Sequence, residues 1–205
     1  MNADALWVNA KIATFDPAVN VPYGLRDGWA LAIHNENVAA ILPPDSPEIP
    51  GFRGPVHDCT GKWMTPAFID CHTHLVWAGS RAQDWQDRLT GVPYTEIAKR
   101  GGGILSTMRA VRAATEDELV ALAVPRLRAL AAEGVMCVEI KSGYGLTTAD
   151  ELKMLRAAKR VAAEVGVELS STLLAAHAVP PESLGIGRSR QVNKEGWARK
   201  RKAKD

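Results

Sequence analysis

From residue 65 onward, short apolar segments alternate with longer segments of helical periodicity. The apolar segments are residues 67–75, 135–140 and 167–176, and the long helical segments between them are residues 115–133 and 148–165. Strands that alternate with helices of about 15 residues form βαβ units, which place the strands in a parallel sheet. The sequence therefore predicts an α/β fold containing about three strands of a (β/α) barrel.

The first 64 residues show a different pattern, that of short strands separated by turns. His34-Asn35-Glu36-Asn37 is typical of a hairpin turn, and Thr60-Gly61 is typical of a second turn. This stretch predicts a small β module. Its predicted strands are residues 5–14, 29–33, 38–42, 56–59 and 62–64.

Both long helices are preceded by residues that favour a defined start. Thr115 with Glu118, and Thr148 with Glu151, match the capping-box pattern. Pro125 lies inside the first helix and predicts a kink or a split there. In the second helix, the predicted apolar face consists of Leu152, Leu155, Ala158, Ala162 and Val165.

Polar side chains follow each of the three predicted barrel strands. His72 and His74 end the first strand, Lys141 and Tyr144 follow the second, and His177 follows the third. In a (β/α) barrel, the chemistry takes place at the carboxyl ends of the strands. The repetition of this pattern over three strands predicts an active site at that edge of the sheet.

The segment Asp70-Cys71-His72-Thr73-His74 carries the strongest chemical signal. Side chains alternate along a strand, so His72 and His74 point to the same face. Two imidazoles on one face can bind one divalent metal ion. The alternative is that the two histidines are incidental and only hydrogen-bonded.

The other candidate residues each have a structural alternative. Arg81 could clamp a substrate carboxylate, or be a solvated loop arginine. Glu139 and Lys141 face the same side of the second strand and need to pair there. Tyr144 could contact a ligand or close its loop, and His177 could be functional or structural.

Composition limits the class of protein. The chain has 205 residues, no apolar stretch near 18 residues and no N-terminal secretory pattern, which argues against a membrane span and a signal peptide. Its three cysteines are few and widely spaced, and we expect a reducing, cytoplasmic location. Residues 184–205 carry eight basic and two acidic groups, a net charge of +6, and the other 183 residues carry a net charge of −4.

Taken together, the motifs resemble those of the amidohydrolase superfamily and, within it, the imidazolonepropionase family. The pair of histidines is shared by the superfamily, whereas HTHLVWAGSR, GGGILSTMRA and EIKSGYGL are specific to this family. The resemblance runs from residue 4 to about residue 182. The matching stretches are DALWVNAKIATFD, TPAFIDCHTHLVWAGSRAQDW, RGGGILSTMRA, EGVMCVEIKSGYGLTTADELKMLR and STLLAAHAVPPE.

The resemblance implies a fold, a reaction and roles for particular residues. It implies a small β-sandwich-like segment over residues 1–64, a first part of a (β/α) barrel over 65–182, and a basic, disordered tail over 183–205. It implies hydrolysis of the cyclic amide of 4-imidazolone-5-propanoate to N-formimidoyl-L-glutamate, in histidine degradation. One metal ion, zinc or iron, would be bound by His72 and His74, and the substrate by Arg81, Tyr144 and His177.

The sequence also departs from the family. Such enzymes are about twice as long, and the further metal ligands and the residue that acts on the water have no counterpart after His177. Residues 183–205 do not resemble the family, and we expect a frameshift, a premature stop or a sequencing error. The chain alone is accordingly expected to be inactive, whereas the full-length enzyme could form a homo-oligomer.

Two other interpretations belong to different classes of protein. The basic tail could bind nucleic acid, since clustered Lys and Arg give a salt-dependent affinity for phosphates. No base-reading motif accompanies it, and Trp197 is its one aromatic residue. Alternatively, the chain could be a non-catalytic fragment that combines with a second fragment.

Overall fold

A computed structural model describes residues 2–174, 184–186 and 192–194 of the chain. The chain divides into two units, Met1–Pro66 and Ala67–Asp205. No helix of the described residues is long and apolar enough to cross a membrane.

The first unit is built on a central strand, β1, which has neighbours along both edges. β2 pairs with β1 antiparallel, and β3 pairs with β2 antiparallel. β4 and β5 both run parallel to β1 along its other edge. Asn35 and Glu36, with φ of 47° and 63°, form the tight turn between β2 and β3 and confirm the predicted hairpin. The strands are β1 (Ala5–Ala13), β2 (Leu25–His34), β3 (Asn37–Leu42), β4 (Val56–Asp58) and β5 (Trp63–Met64).

These five strands form one mixed sheet. A small buried cluster in this unit consists of Ala10, Ile12 and Cys59. Two short helical segments lie in the connections between the strands, a 3-10 turn at Pro22–Gly24 and α1 (Glu48–Gly51). Residues 2–66 contain no second sheet facing the first. The sandwich-like arrangement of residues 1–64 stays a prediction.

The second unit contains three parallel strands that are neighbours in the order of the chain, β6-β7-β8. Helices connect them, so the predicted α/β class and the parallel order of the strands are confirmed. A barrel beyond these three strands stays a prediction. The strands are β6 (Phe68–Thr73), β7 (Val135–Lys141) and β8 (Glu168–Thr172), and the helices are α2 (Ala82–Leu89), α3 (Tyr94–Lys99), α4 (Ile104–Ala113), α5 (Glu116–Ala132) and α6 (Thr148–Val165).

The described part of the basic tail consists of two short strands. β9 (Leu184–Ile186) and β10 (Val192–Lys194) pair antiparallel. They lie in the stretch 183–205 that the sequence predicts to be disordered, and the remainder of that stretch lies outside the described residues.

The core of the second unit lies between the sheet and helices α5 and α6. Val138 and Ile140 of β7 are buried against Leu119 and Leu127 of α5 and Met154 of α6. Burial of each such side chain is worth about 1.5–3 kcal/mol. This apolar layer holds the sheet and the two long helices together.

Helix α5 begins as predicted but is not split. Thr115 and Glu118 form both bonds of the capping box. The helix continues through Pro125 without interruption. Pro125 and Ala121, whose carbonyl would accept the missing amide proton, are both exposed, so water can satisfy that carbonyl. Of the two predicted alternatives, the split is therefore wrong, and the kink stays a prediction.

The N-cap of helix α6 lies one residue earlier in the chain than predicted. Thr147, not Thr148, is the N-cap: its Oγ1 accepts the amide of Asp150 at 3.2 Å and donates to the Asp150 carboxylate at 2.6 Å. The buried face correspondingly includes Glu151 and Met154, whereas Leu152 is 44% exposed. The predicted apolar face is wrong at Leu152, because the side that packs in the core is the one that carries Met154, Ala157 and Val161.

Lys153 of α6 caps the carboxyl end of α4. Its Nζ donates to the carbonyls of Val111, Arg112 and Ala114 at 2.9–3.2 Å. The last carbonyls of a helix lack intrahelical partners, and a cation there also interacts favourably with the helix dipole.

We predict that Lys153→Met lowers the free energy of unfolding by about 1–3 kcal/mol, because partly buried carbonyls lose a charged donor. Urea unfolding followed by circular dichroism measures the change. The matched control is Lys159→Met on the exposed side of the same helix. Equal stability of the two variants would contradict the capping role.

Candidate active site

The two histidines lie side by side at the carboxyl end of β6, His72 within the strand and His74 just after it. Their ring centres are 5.8 Å apart, and the rings meet edge to face at 67°. Thr73 between them is turned to β7, where its hydroxyl donates to the Glu139 carbonyl at 2.6 Å. His72 is exposed, whereas Nδ1 of His74 is shielded from solvent. The strand therefore presents both imidazoles together.

This pair has the chemistry of part of a metal site. The nitrogen of a neutral imidazole is a common ligand of divalent metal ions. Among the described residues, no group of three or more His, Cys, Asp or Glu side chains is gathered to complete such a site. The described part of the chain thus brings two imidazoles together, and their role as metal ligands stays a prediction.

The next strand adds a charged pair to the same edge. The Glu139 carboxylate accepts from Lys141 Nζ at 2.5 Å and from the Thr172 hydroxyl of β8 at 2.6 Å. These bonds, Lys141 first and Thr172 second, hold the pKa of the Glu139 carboxyl below its ordinary value, and the nearby charge of His72 acts in the same direction. The predicted pairing of Glu139 with Lys141 is confirmed, and the Glu139 carboxylate also links β7 to β8.

Arg81 and Tyr144 line one cavity of about 190 Å³, together with Trp77, Ala78, Ser80 and Thr107. The Tyr144 ring is also 5.4 Å from the ring of His74. Arg81 Nε donates to Asp84 at 3.2 Å, and the same carboxylate oxygen accepts the Gly103 amide at 2.7 Å. A cationic group and a phenol thus converge on a small cavity beside the histidine pair.

Sequence reasoning missed the roles of two helix side chains, one partly buried and one buried, that hold the loops of this site. Arg126 of α5 donates to the carbonyls of Leu75 and Trp77 at 2.9 Å, and its guanidinium carbon lies 3.5 Å from the centre of the Trp77 ring. Burial lowers the pKa of Arg126. Glu151 binds the amides of the loop that contains Tyr144. Arg126 carries no local signal, since an arginine is an ordinary residue in a helix. Glu151 matched a capping-box pattern, which does not predict its bonds to the preceding loop.

One of the five predicted site residues is outside the part of the chain that the structure describes. His177 lies outside the described residues. The structure does describe His72, His74, Arg81 and Tyr144. Tyr144 lines the same cavity as Arg81 and lies beside His74. The roles of these four residues stay predictions.

A search of solved structures shows the class of fold. The chain is similar to an uncharacterized metal-dependent hydrolase from Pyrococcus furiosus, with a TM-score of 0.50 and 15% sequence identity over 82% of this chain and 50% of that one. At this identity the likeness concerns the fold alone. The chain therefore shares its fold with part of that protein.

Curated sequences identify the relatives. The chain is 57% identical over 181 residues to an imidazolonepropionase from Chromobacterium violaceum, 50% identical to one from Aeromonas salmonicida and 52% identical to one from Klebsiella pneumoniae. These matches cover 88–89% of this chain and 44% of each relative, so the chain spans less than half of their length. No protein-family model matches the chain. The resemblance predicted from the motifs is confirmed.

Because Glu139 pairs with Lys141, we predict that the stability of the chain depends on pH. A carboxyl group whose pKa is lowered by folding contributes stability above its unfolded pKa, about 4.3, and loses that contribution as the pH falls through the folded value. We expect Glu139→Gln to be less stable than the parent chain at pH 6–7, and the difference to disappear towards pH 3.

Urea unfolding of both proteins between pH 3 and 7 measures this difference. Glu164→Gln serves as the control, because Glu164 pairs with Arg128 at an exposed position where little stability is expected at any pH. A Glu139→Gln difference that stays constant with pH would show that the pair is not responsible.

Proposed function

We propose that this chain forms part of an imidazolonepropionase, an enzyme that hydrolyses the cyclic amide of 4-imidazolone-5-propanoate to N-formimidoyl-L-glutamate. The observation that carries the proposal is the cavity shared by Arg81 and Tyr144 beside His74. The cavity lies next to the carboxyl end of β6, where this class of fold performs its chemistry. The similarity to curated imidazolonepropionases supports the same reaction.

In this proposal His72 and His74 are two ligands of one metal ion, zinc or iron, and the other ligands lie outside the described residues. A bound metal ion lowers the pKa of a water molecule and polarises an amide carbonyl. The close approach of the two rings, with 5.8 Å between their centres, supports a ligand role. Histidine nitrogen suits both metals, so the ligand type favours neither.

Arg81 would bind the propanoate carboxylate. Its Nε is bonded to Asp84, which orients the guanidinium and leaves the Nη groups to meet an anion. Charge-assisted bonds from arginine to a carboxylate are among the stronger polar contacts, and they fix the orientation of a small substrate. The cavity volume of about 190 Å³ suits a metabolite smaller than the drug-sized ligands of typical pockets.

Tyr144 would contact the ring end of the substrate, because its own ring bridges the arginine cavity and His74. His177 follows β8 in the chain, and its role as a further substrate contact rests on the family resemblance. The substrate in this proposal is a small molecule. The free cysteines Cys59, Cys71 and Cys137 suit the reducing cytoplasm.

A chimeric enzyme tests the function directly. Residues 1–174 of this chain are joined to the part of the Chromobacterium violaceum relative that follows the equivalent residues. We expect the chimera to consume 4-imidazolone-5-propanoate, and to bind one zinc or iron ion per chain by elemental analysis. His74→Asn should lower the metal content and the turnover together, because a ligand is lost.

The control for this variant is His57→Asn, which changes an exposed histidine of the first unit. It should leave the metal content and the turnover unchanged. A chimera that folds, binds metal and does not consume the substrate would contradict the proposed reaction.

Removal of the Arg81 guanidinium should weaken substrate binding. We expect Arg81→Met in the chimera to raise KM about 10- to 100-fold, because a charged bond to the carboxylate is worth about 1.5–3 kcal/mol. Steady-state kinetics measure the change, with Arg88→Met on the same helix as the control. An unchanged KM in Arg81→Met would remove Arg81 from the substrate site.

A further inference from the structure

The loop that carries Tyr144 has a backbone conformation that requires support. Gly143 and Leu146 have φ of 132° and 58°, and the latter is a region that side chains with a Cβ rarely adopt. Gly145 packs so closely that an added Cβ would lie 2.7 Å from Asp150 and from the amide nitrogen of Glu151. Something must hold residues 143–146 in this arrangement.

The Glu151 carboxylate supplies that support from the first turns of α6. Its Oε2 accepts the Gly143 amide at 2.5 Å, and its Oε1 accepts the amides of Gly145 and Leu146, both at 2.7 Å. The residue is only 4% exposed. A buried carboxylate is costly unless it is fully bonded, and here three backbone donors on both sides of Tyr144 bond it.

Capping of the helix does not account for these bonds. Thr147 and Asp150 form the cap of α6 with each other. The Glu151 carboxylate instead reaches back to the loop before the helix, which Arg112 also holds by donating to the Gly145 carbonyl at 2.8 Å. Gly145 is thus bonded at its amide by Glu151 and at its carbonyl by Arg112.

We propose that Glu151 is a positioning residue for Tyr144: its carboxylate fixes residues 143–146 so that the phenol lies between His74 and the Arg81 cavity. The inference rests on the proposed function to the extent that this cavity binds the substrate. Glu151 itself touches neither the cavity lining nor the histidines, and it acts through the loop.

The variant Glu151→Gln tests the proposal with a minimal change of shape. An amide retains one oxygen for two of the three donors and places an NH₂ group against another N–H. In the chimera we expect KM for 4-imidazolone-5-propanoate to rise about 10-fold, with kcat changed less than about threefold. Glu118→Gln, the same change in the capping box of α5, is the matched control and should leave KM unchanged.

A double-variant cycle separates positioning from general stabilisation. In the background Tyr144→Ala, the substitution Glu151→Gln should produce no further rise in KM, because the side chain that it positions is gone. A KM increase of the same size in both backgrounds would overturn the proposal. If Glu151→Gln does not fold, Arg112→Gln releases the same loop from its other side and should give the same dependence on Tyr144.

Hydrogen exchange in the 205-residue chain gives a readout that is independent of turnover. Glu151→Gln should accelerate exchange of the amides of residues 143–146 about 10-fold or more, without the same change in α5. Unchanged exchange in this loop would overturn the proposal. An inactive parent chimera with accelerated loop exchange would contradict the proposed function alone.

Discussion

Parallel pairing of three consecutive strands is the constraint on which the candidate site depends. Because β6, β7 and β8 are neighbours in chain order, their carboxyl ends meet at one edge of the sheet. Alternation along β7 sends Val138 and Ile140 into the helical layer and leaves Glu139 and Lys141 on the opposite side. The same pairing thus separates an apolar core from a polar edge, and the histidines of β6 belong to that edge.

Long polar side chains of α5 and α6 bind the backbone of neighbouring segments and hold those segments in place. Arg126, Glu151 and Lys153 each bind two or more backbone groups of a different segment. Irregular backbone near a core needs such partners, since its amides and carbonyls lack the regular bonds of a helix or strand. The loops around the cavity are therefore defined by side chains that lie outside it.

Local patterns predicted the elements well, because apolar periodicity and turn chemistry act over a few residues. The hairpin at Asn35 and Glu36 and the capping box at Thr115 are examples. The start of α6 was not predictable in this way, since Thr147 and Thr148 are adjacent and each has an acidic residue three positions later. In the structure Thr147 is the cap and bonds Asp150. The shared cavity of Arg81 and Tyr144 depends on how two distant loops meet, which no local pattern contains.

The position of Arg126 beside Pro125 has a mechanical consequence. Pro125 lacks the amide that would bond the previous turn, so α5 can bend at this point without breaking a hydrogen bond. The neighbouring guanidinium is tied to the carbonyls of Leu75 and Trp77, immediately after the histidine pair. The turn of α5 that lacks a hydrogen bond is therefore the turn attached to the loop after β6, and bending of α5 at this point would act on that loop.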